Sequence, residues 1–209
     1  MKNDNCKICR RAGMKLFLKG ERCSSPKCPV IRRSYPPGQK SKRRRASLSE
    51  FGKELREKQK LKNWYNLGER QFGNYVKEIL KRRSKVKDAA LSLIQKLETR
   101  LDNTIFRLGF ASSHDQARQL VVHGHFMVNN RSVTIPSVQL KKGDKISLYP
   151  SSKSKKIFEN LSSTLKKYKA AGWLKLDAEK LEGEVAGLPT LEDASPIAEI
   201  SSIFEYYSR

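Results

Sequence analysis

Residues Arg100–Tyr149 read RLDNTIFRLGFASSHDQARQLVVHGHFMVNNRSVTIPSVQLKKGDKISLY, and the changes of periodicity along this stretch decide the fold. Leu101, Ile105 and Leu108 recur at helical spacing, and Gly109 follows as a stop signal. Ser113 with Gln116 three residues on forms a capping box, which opens a second helix with Ala117, Leu120 and Val121 on one face, ending at Gly124. From His125 the period falls to two. Phe126 and Val128 share a side, and Asn129-Asn130 offers residues that tolerate left-handed backbone at a hairpin turn. Val133 and Ile135 continue the alternation, Pro136 interrupts it, and Lys142-Gly143-Asp144 turns the chain into Ile146 and Leu148. The expectation is two short helices leading into a small antiparallel sheet. Arg100, Arg107, Arg118, Gln119, His123, His125, Asn129 and Arg131 fall at the join or at outward positions. Cations and amides so placed bind phosphate oxygens while leaving bases to be read by shape.

Charge sets the class of partner. The chain of 209 residues has 44 Lys+Arg against 21 Asp+Glu, a formal net charge of +23, and 37% hydrophobic residues, low for a self-sufficient core. Such a field favours polyanions over neutral ligands, and nucleic acid before a membrane, since no long apolar run is present. The polar opening MKNDNC lacks the apolar region of a signal peptide, so the expected location is the cytoplasm. The charge is uneven. From Asp177 onward eight acids stand against Lys180 and Arg209, which predicts a tail that packs on the basic body or meets a protein neighbour.

All four cysteines fall near the start: Cys6, Cys9, Cys23 and Cys28, as C-x2-C and C-x4-C separated by thirteen residues. Two such pairs can close around one tetrahedral ion, and Lys7, Arg10, Arg11 and Arg22 favour the thiolate form. A structural zinc ion, one per chain, is the expectation; two disulfides, free thiols and an iron-sulfur cluster are the alternatives. With four ligands no coordination position stays open for catalysis. The run VIRRSYPPGQKSKRRRAS that follows has no apolar periodicity. Alone in water it is expected to be disordered. Bound, it can lay Arg32, Arg33, Lys40, Lys42, Arg43, Arg44 and Arg45 along phosphates and stack Tyr35 on a base.

Ser47 with Glu50 predicts a helix whose inner face is Leu48, Phe51 and Leu55, with Lys53, Arg56, Lys58, Lys60 and Lys62 opposite. Another helix spans 69 to 83 through Phe72, Val76, Ile79 and Leu80 and ends in a basic knot that includes Arg82 and Arg83. Asp88 caps a further helix with Ala90, Leu91, Ile94 and Leu97 inward. Beyond Pro150, Ile157, Leu161, Leu165 and Tyr168 share a helical period, and Ile197, Ile200, Ile203, Phe204 and Tyr207 predict a final helix.

These residues carry a resemblance. RLDNTIFRLGF, ARQLVVHGHFMVN and KKGDKIS resemble the S4 RNA-binding module. With PPGQ, FGKELREKQKLKNWYNLGERQF and the four cysteines, nearly the whole chain resembles the bacterial type of the small-subunit ribosomal protein S4 family. The resemblance implies an α+β fold: a zinc knuckle and basic arm (1–46), a mostly helical domain (47–97) completed by 178–209, and an inserted S4-type module (98–177) of helices packed on a small antiparallel sheet. It implies a structural protein of the small ribosomal subunit, not an enzyme. Such a protein binds the 5′ domain of small-subunit rRNA early, at a helical junction, and influences decoding accuracy. Ribosomal protein S5, other small-subunit proteins and the path by which mRNA enters are the implied neighbours. Arg10, Arg11, Lys58, Lys62, Arg70 and Gln71 join the cations above as expected RNA contacts.

Competing readings fail on particulars. Arg100-Leu101-Asp102 resembles the catalytic aspartate motif of pseudouridine synthases, but it lies inside the module and leaves no room for a catalytic sheet. His123 and His125 are two apart with no cysteine nearby, which argues against a second metal site. A zinc-containing DNA-binding regulator needs a recognition helix and dimer symmetry, and neither is evident. No P-loop, dinucleotide-binding glycine motif or nucleophile elbow is present, and no small-molecule substrate or membrane is expected.

Overall fold

Three short helices begin the chain, α1 (Asn5–Ala12) with Cys6 and Cys9, α2 (Glu21–Ser24) with Cys23, and α3 (Pro29–Arg32) with Cys28 at its N-cap. The structure, a computed structural model, describes residues 5–38, 47–82 and 88–209. Cys9, Leu16 and Leu18 make a small core beneath α1, with Ile8, Ala12, Met14, Val30, Trp64 and Ile197 packed around it. The next two helices are α4 (Glu50–Trp64) and α5 (Glu69–Lys81). The cap of α4 is Ser49 rather than Ser47. Its extended backbone lets Oγ accept from the Gly52 N–H at 3.2 Å, three residues on, and Ser47 lies too far out to do so. Asn66, at φ 52°, ends α4 in a Schellman turn: its own N–H bonds the Asn63 carbonyl and the Leu67 N–H bonds that of Lys62.

The buried face of α4 differs from the apolar one expected. Leu48 and Phe51 are each 48% exposed, whereas Glu54, Lys58 and Leu61 are buried. Glu54 meets Arg209 through one carboxylate oxygen, and Lys58 meets Glu69 and the Tyr206 ring, contacts that offset part of the cost of burying them.

The chain divides into two compact units, Met1–Leu93 with Pro196–Arg209, and Ile94–Ser195. Asp88 Oδ1 accepts from the N–H groups of Ala90 and Leu91 at the start of α6 (Ala89–Glu98). The second unit continues with α7 (Leu101–Arg107), α8 (His114–Val122), β1 (Phe126–Val128), β2 (Arg131–Ser132), β3 (Lys145–Leu148), α9 (Leu161–Lys167), β4 (Leu174–Asp177), β5 (Glu182–Val185) and α10 (Leu191–Ala194). The strands form one antiparallel sheet in the order β2-β1-β3-β5-β4. Asn129 and Asn130 both have positive φ, 49° and 64°, which gives the hairpin between β1 and β2 the two left-handed residues of a type I′ turn.

Helices α7 and α8 cover the sheet through Leu101, Ile105, Leu108, Leu120 and Val121, which meet Phe126, Ile146, Leu148 and Val185 in one core. Gly183 in β5 is what lets Leu108 so close: a Cβ there would stand 2.4 Å from Leu108 Cδ1. Because β5 pairs with both β3 and β4, the second unit runs to Ser195 rather than ending at 177. Beyond β3 the expected helical face holds at Leu161 and Leu165, both buried, and slips by one residue at its start. A 3-10 turn over Lys156–Phe158 buries Phe158 to 3% and leaves Ile157 60% exposed.

The last helix, α11 (Ile200–Ser208), returns to the first unit and packs on α4 and α5. The tail meets the basic body through rings and through its single terminal cation. Tyr206 lies against Phe51 at 5.4 Å, and Arg209 Nη2 donates to Glu54 Oε1 at 2.6 Å.

Candidate nucleic-acid interface

The join between α7 and α8 is held by a buried polar network. Glu98, fully enclosed, accepts from Arg107 Nε at 3.0 Å and Nη2 at 2.7 Å and from Asn103 Nδ2 at 2.6 Å. Asn103 Oδ1 in turn lies 2.9 Å from His114 Nε2. Burial, and then the charge of Arg107, hold His114 down at about 3, so its imidazole is neutral. Beside this network Arg100 donates to both oxygens of Asp102, at 3.0 and 2.6 Å, and the Asn103 N–H bonds Asp102 Oδ1.

This network corrects two expectations. Arg100 is 1% exposed and the Arg107 side chain 17%, so both cations are committed to carboxylates inside the fold rather than presented to solvent. Asp102 likewise serves Arg100 and a backbone amide.

The outward set starts beyond this network. Gln119, His123, Asn129 and Arg131 are exposed and Arg118 is half-buried, along α8 and the hairpin that follows it. The Asn129 side chain also pins its turn, donating to Asp144 Oδ1 and accepting from the Lys145 N–H. His125 faces inward instead, 7% exposed, with Nδ1 2.9 Å from Ser152 Oγ and its ring edge-on to Phe158. Burial, then Lys155 and His123, lower its pKa. The contact with Ser152 places the stretch SSKSKK (151–156) against His125, a neighbourhood whose sequence signal was its run of lysines.

In the first unit the expected contacts divide in the same way. Lys58 is 3% exposed, bonded to Glu69 Oε1 at 2.7 Å and lying over the Tyr206 ring at 4.4 Å. It is an interior cation. Lys62 bonds the other oxygen of Glu69 at 3.0 Å, and Gln71 Nε2 donates to the Tyr75 hydroxyl. Arg70 is exposed, and Arg82 is exposed with a long contact to Glu78 at 3.6 Å. Arg11, Arg32, Arg33 and Tyr35 are exposed. Arg10 fixes the turn that carries Tyr35. Its guanidinium donates to the carbonyls of Arg33, Tyr35 and Pro36 and lies 4.9 Å from the Tyr35 ring. Lys40, Lys42, Arg43, Arg44, Arg45 and Arg83 lie outside the described residues.

Cys6, Cys9, Cys23 and Cys28 are free thiols that line one small cavity of about 10 Å³ with Leu18 and Val30. Burial raises the Cys9 pKa, the Leu16 N–H opposes that rise, and the other three thiols add to it. Among the described residues no three His, Cys, Asp or Glu are drawn close enough to hold a metal ion as they stand.

Comparison with known proteins agrees with this arrangement. Residues 1–98 match the family described as the Ribosomal protein S4/S9 N-terminal domain, and residues 99–146 match the S4 domain. The small ribosomal subunit protein uS4 of Thermus thermophilus is 45% identical over 205 residues, covering 98% of this chain and 96% of that protein. Its counterpart in Caldicellulosiruptor bescii is 49% identical over 206 residues, 98% of this chain and 97% of that one. The chain belongs to the uS4 family. The uS4 family is one of ribosomal structural proteins, not of enzymes. Within this uS4 chain, the S4 domain match begins at Thr99 and takes in α7, α8, the hairpin and the start of β3.

Proposed function

We propose that this chain is a structural constituent of the small ribosomal subunit that binds the 5′ domain of its rRNA at a helical junction, early in assembly. The observation that carries the reading is the separation of charges in the S4 domain. Arg100 and Arg107 are consumed by the buried carboxylates of Asp102 and Glu98 at the start of α7 and the end of α6, while Gln119, His123, Asn129 and Arg131 stay exposed along α8 and beside the type I′ hairpin. A fixed array of donors on packed helices favours compact RNA by neutralising converging phosphates. Contacts with ribosomal protein S5, a position near the path by which mRNA enters, an effect on decoding accuracy and residence on the cytoplasmic ribosome belong to the same proposal. So does the assignment of the exposed Arg11, Arg32, Arg33, Arg70 and Arg82, and of Lys40, Lys42, Arg43, Arg44, Arg45 and Arg83, as RNA contacts. The test is binding of the full chain to a small-subunit rRNA 5′-domain transcript, to tRNA and to duplex DNA across a salt series. Tight binding that survives raised salt for the rRNA alone is expected; equal affinity for all three would refute it.

The four free thiols around one cavity are the ligand set that a structural zinc ion takes tetrahedrally as thiolates, and a small inward shift of their side chains would be needed to close on it. Metal analysis of protein purified under reducing, metal-replete conditions should return about one zinc per chain. A metal-free protein with unchanged thermal stability would remove zinc from the reading.

A further inference from the structure

The loop between α1 and α2 presents an aromatic ring at a cost in both backbone and solvation. Leu16 and Leu18 are 1% and 5% exposed in the core beside Cys9, while Phe17 between them is 48% exposed. The backbone of Phe17 is left-handed, φ 51°, a conformation unfavourable for a residue with a large side chain and far easier for glycine or asparagine. The loop is held there from both sides. The Leu16 N–H bonds the Cys9 thiol, the Lys19 N–H lies 3.3 Å from Cys23 Sγ, and the Phe17 carbonyl accepts the Gly20 N–H. With both leucines fixed inward, position 17 is turned outward whatever residue occupies it. A turn of this kind calls for glycine, and phenylalanine suits neither its backbone nor its exposure.

Leu181 gives the contrast. It too is left-handed, φ 58°, but its side chain packs against the core of the second unit, so burial offsets the strain. Half of Phe17 stays in solvent. Strain kept without burial points to a use for the ring outside the chain. Its surroundings say what kind. Lys15 and Lys19 lie two residues to either side, and exposed Arg22 follows on α2. Lysines are depleted in the centres of protein–protein interfaces, whereas an exposed ring among cations is the arrangement on which unpaired bases stack while their phosphates are neutralised.

We infer that Phe17 is a stacking platform for an unpaired base of the bound RNA, with Lys15, Lys19 and Arg22 taking the flanking phosphates. This rests on the RNA-binding reading above and adds to it a residue and a class of ligand. The test uses the full chain and the rRNA 5′-domain transcript, with Phe17→Gly, Phe17→Leu and Phe17→Tyr. Phe17→Gly is expected to leave thermal stability unchanged or raised and to weaken binding about tenfold. The slope of log K against log salt should stay the same, because no phosphate contact is lost. Phe17→Leu, apolar but not aromatic, should weaken binding equally, and Phe17→Tyr should retain it. One unpaired nucleotide protected by the native chain should become reactive with Phe17→Gly. Native affinity in both Phe17→Gly and Phe17→Leu would overturn the inference. Native affinity for the transcript combined with poor incorporation into the small subunit would assign the ring to a protein neighbour and overturn it as well. Should the unaltered chain fail to bind the transcript, the RNA-binding reading itself falls, and the inference with it.

Discussion

Lys58 and Arg131 look alike in composition, and replacing each by alanine should have opposite consequences. Lys58 is 3% exposed, its ammonium 2.7 Å from Glu69 Oε1 and 4.4 Å from the centre of the Tyr206 ring. A desolvated cation–π contact is worth about 2 kcal/mol. The pair with Glu69 adds at most about 1 kcal/mol, since half of that carboxylate is in water and Lys62 still holds its other oxygen. Lys58→Ala should therefore destabilise the first unit by about 2–3 kcal/mol. At ordinary denaturant sensitivities that moves the urea midpoint by about 1 M. Because Lys58 reaches no phosphate, the salt slope of rRNA binding should not change once the protein is folded. Arg131, exposed on β2, should behave inversely: stability within about 0.5 kcal/mol of native and a salt slope reduced by about one. Both quantities come from urea titration at pH 7 and filter binding in increasing potassium chloride. If Lys58→Ala lowers the salt slope as Arg131→Ala does, the enclosure of Lys58 is wrong, and with it the sorting of inner from outer cations.

Glu69 makes the same cluster sensitive to acid. Burial raises its pKa, but bonds from Lys58, Lys62 and Tyr207 outweigh burial and hold it at about 2, below its usual 4.5. A depressed carboxylate stabilises the fold above its unfolded pKa and loses that contribution as pH falls towards the folded value. Thermal unfolding of the native chain and Glu69→Gln should thus differ by about 1 kcal/mol at pH 6 and converge as pH drops from 4.5 to 2; an equal gap at both ends would acquit the ion pairs. Gly109, φ 82°, would place a Cβ 2.7 Å from Tyr168 Cδ1, so Gly109→Ala should cost about 2–5 kcal/mol, part backbone and part ring displacement. Adding Tyr168→Ala should relieve the second part, as a double-mutant cycle would reveal. Asp102→Ala strips a 1% exposed Arg100 of a bidentate carboxylate and should cost about 3–5 kcal/mol in urea unfolding. Its rRNA affinity should fall only in proportion to the unfolded fraction.

What the sequence disclosed was whatever is decided locally. Ser113 capping α8 through the Gln116 N–H, the paired asparagines of the hairpin and the glycine ends of α7 and α8 each depend on residues within a few positions of one another. Strand β5 was hidden because Glu182-Gly183-Glu184 carries no apolar alternation. It is a strand because β3 and β4 pair with it from either side, and its glycine leaves the space that Leu108, 75 residues earlier in sequence, fills. The interior cations were hidden for a similar reason. Lys58 and Arg107 lie in sequences as basic as those around Arg70 or Arg131, and only folding brings Glu69 or Glu98 against them. Periodicity misassigned α4 because it counts Leu48 and Phe51 as core formers, whereas charged side chains with fitted partners took the buried face.

The charge of the tail follows from the same sorting. With 44 cations against 21 acids, every exposed acid weakens the field that draws RNA, and every unpaired interior cation would oppose folding. Placing carboxylates against interior cations, fully inside for Glu98 and Asp102 and at the half-exposed edge for Glu69, meets both demands. Glu98 neutralises Arg107, Asp102 neutralises Arg100, and Glu69 serves Lys58 and Lys62. Complementarity of an acidic tail with a basic body would have had α11 bring carboxylates to α4 and cancel outward charge. Instead α11 brings two tyrosines and its terminal arginine, and Arg209 meets the buried Glu54, so the helix closes the unit at little expense to the surface field. The carboxylates folded against Lys58, Arg100 and Arg107 thus hold these three cations inside and take nothing from the cations left at the surface.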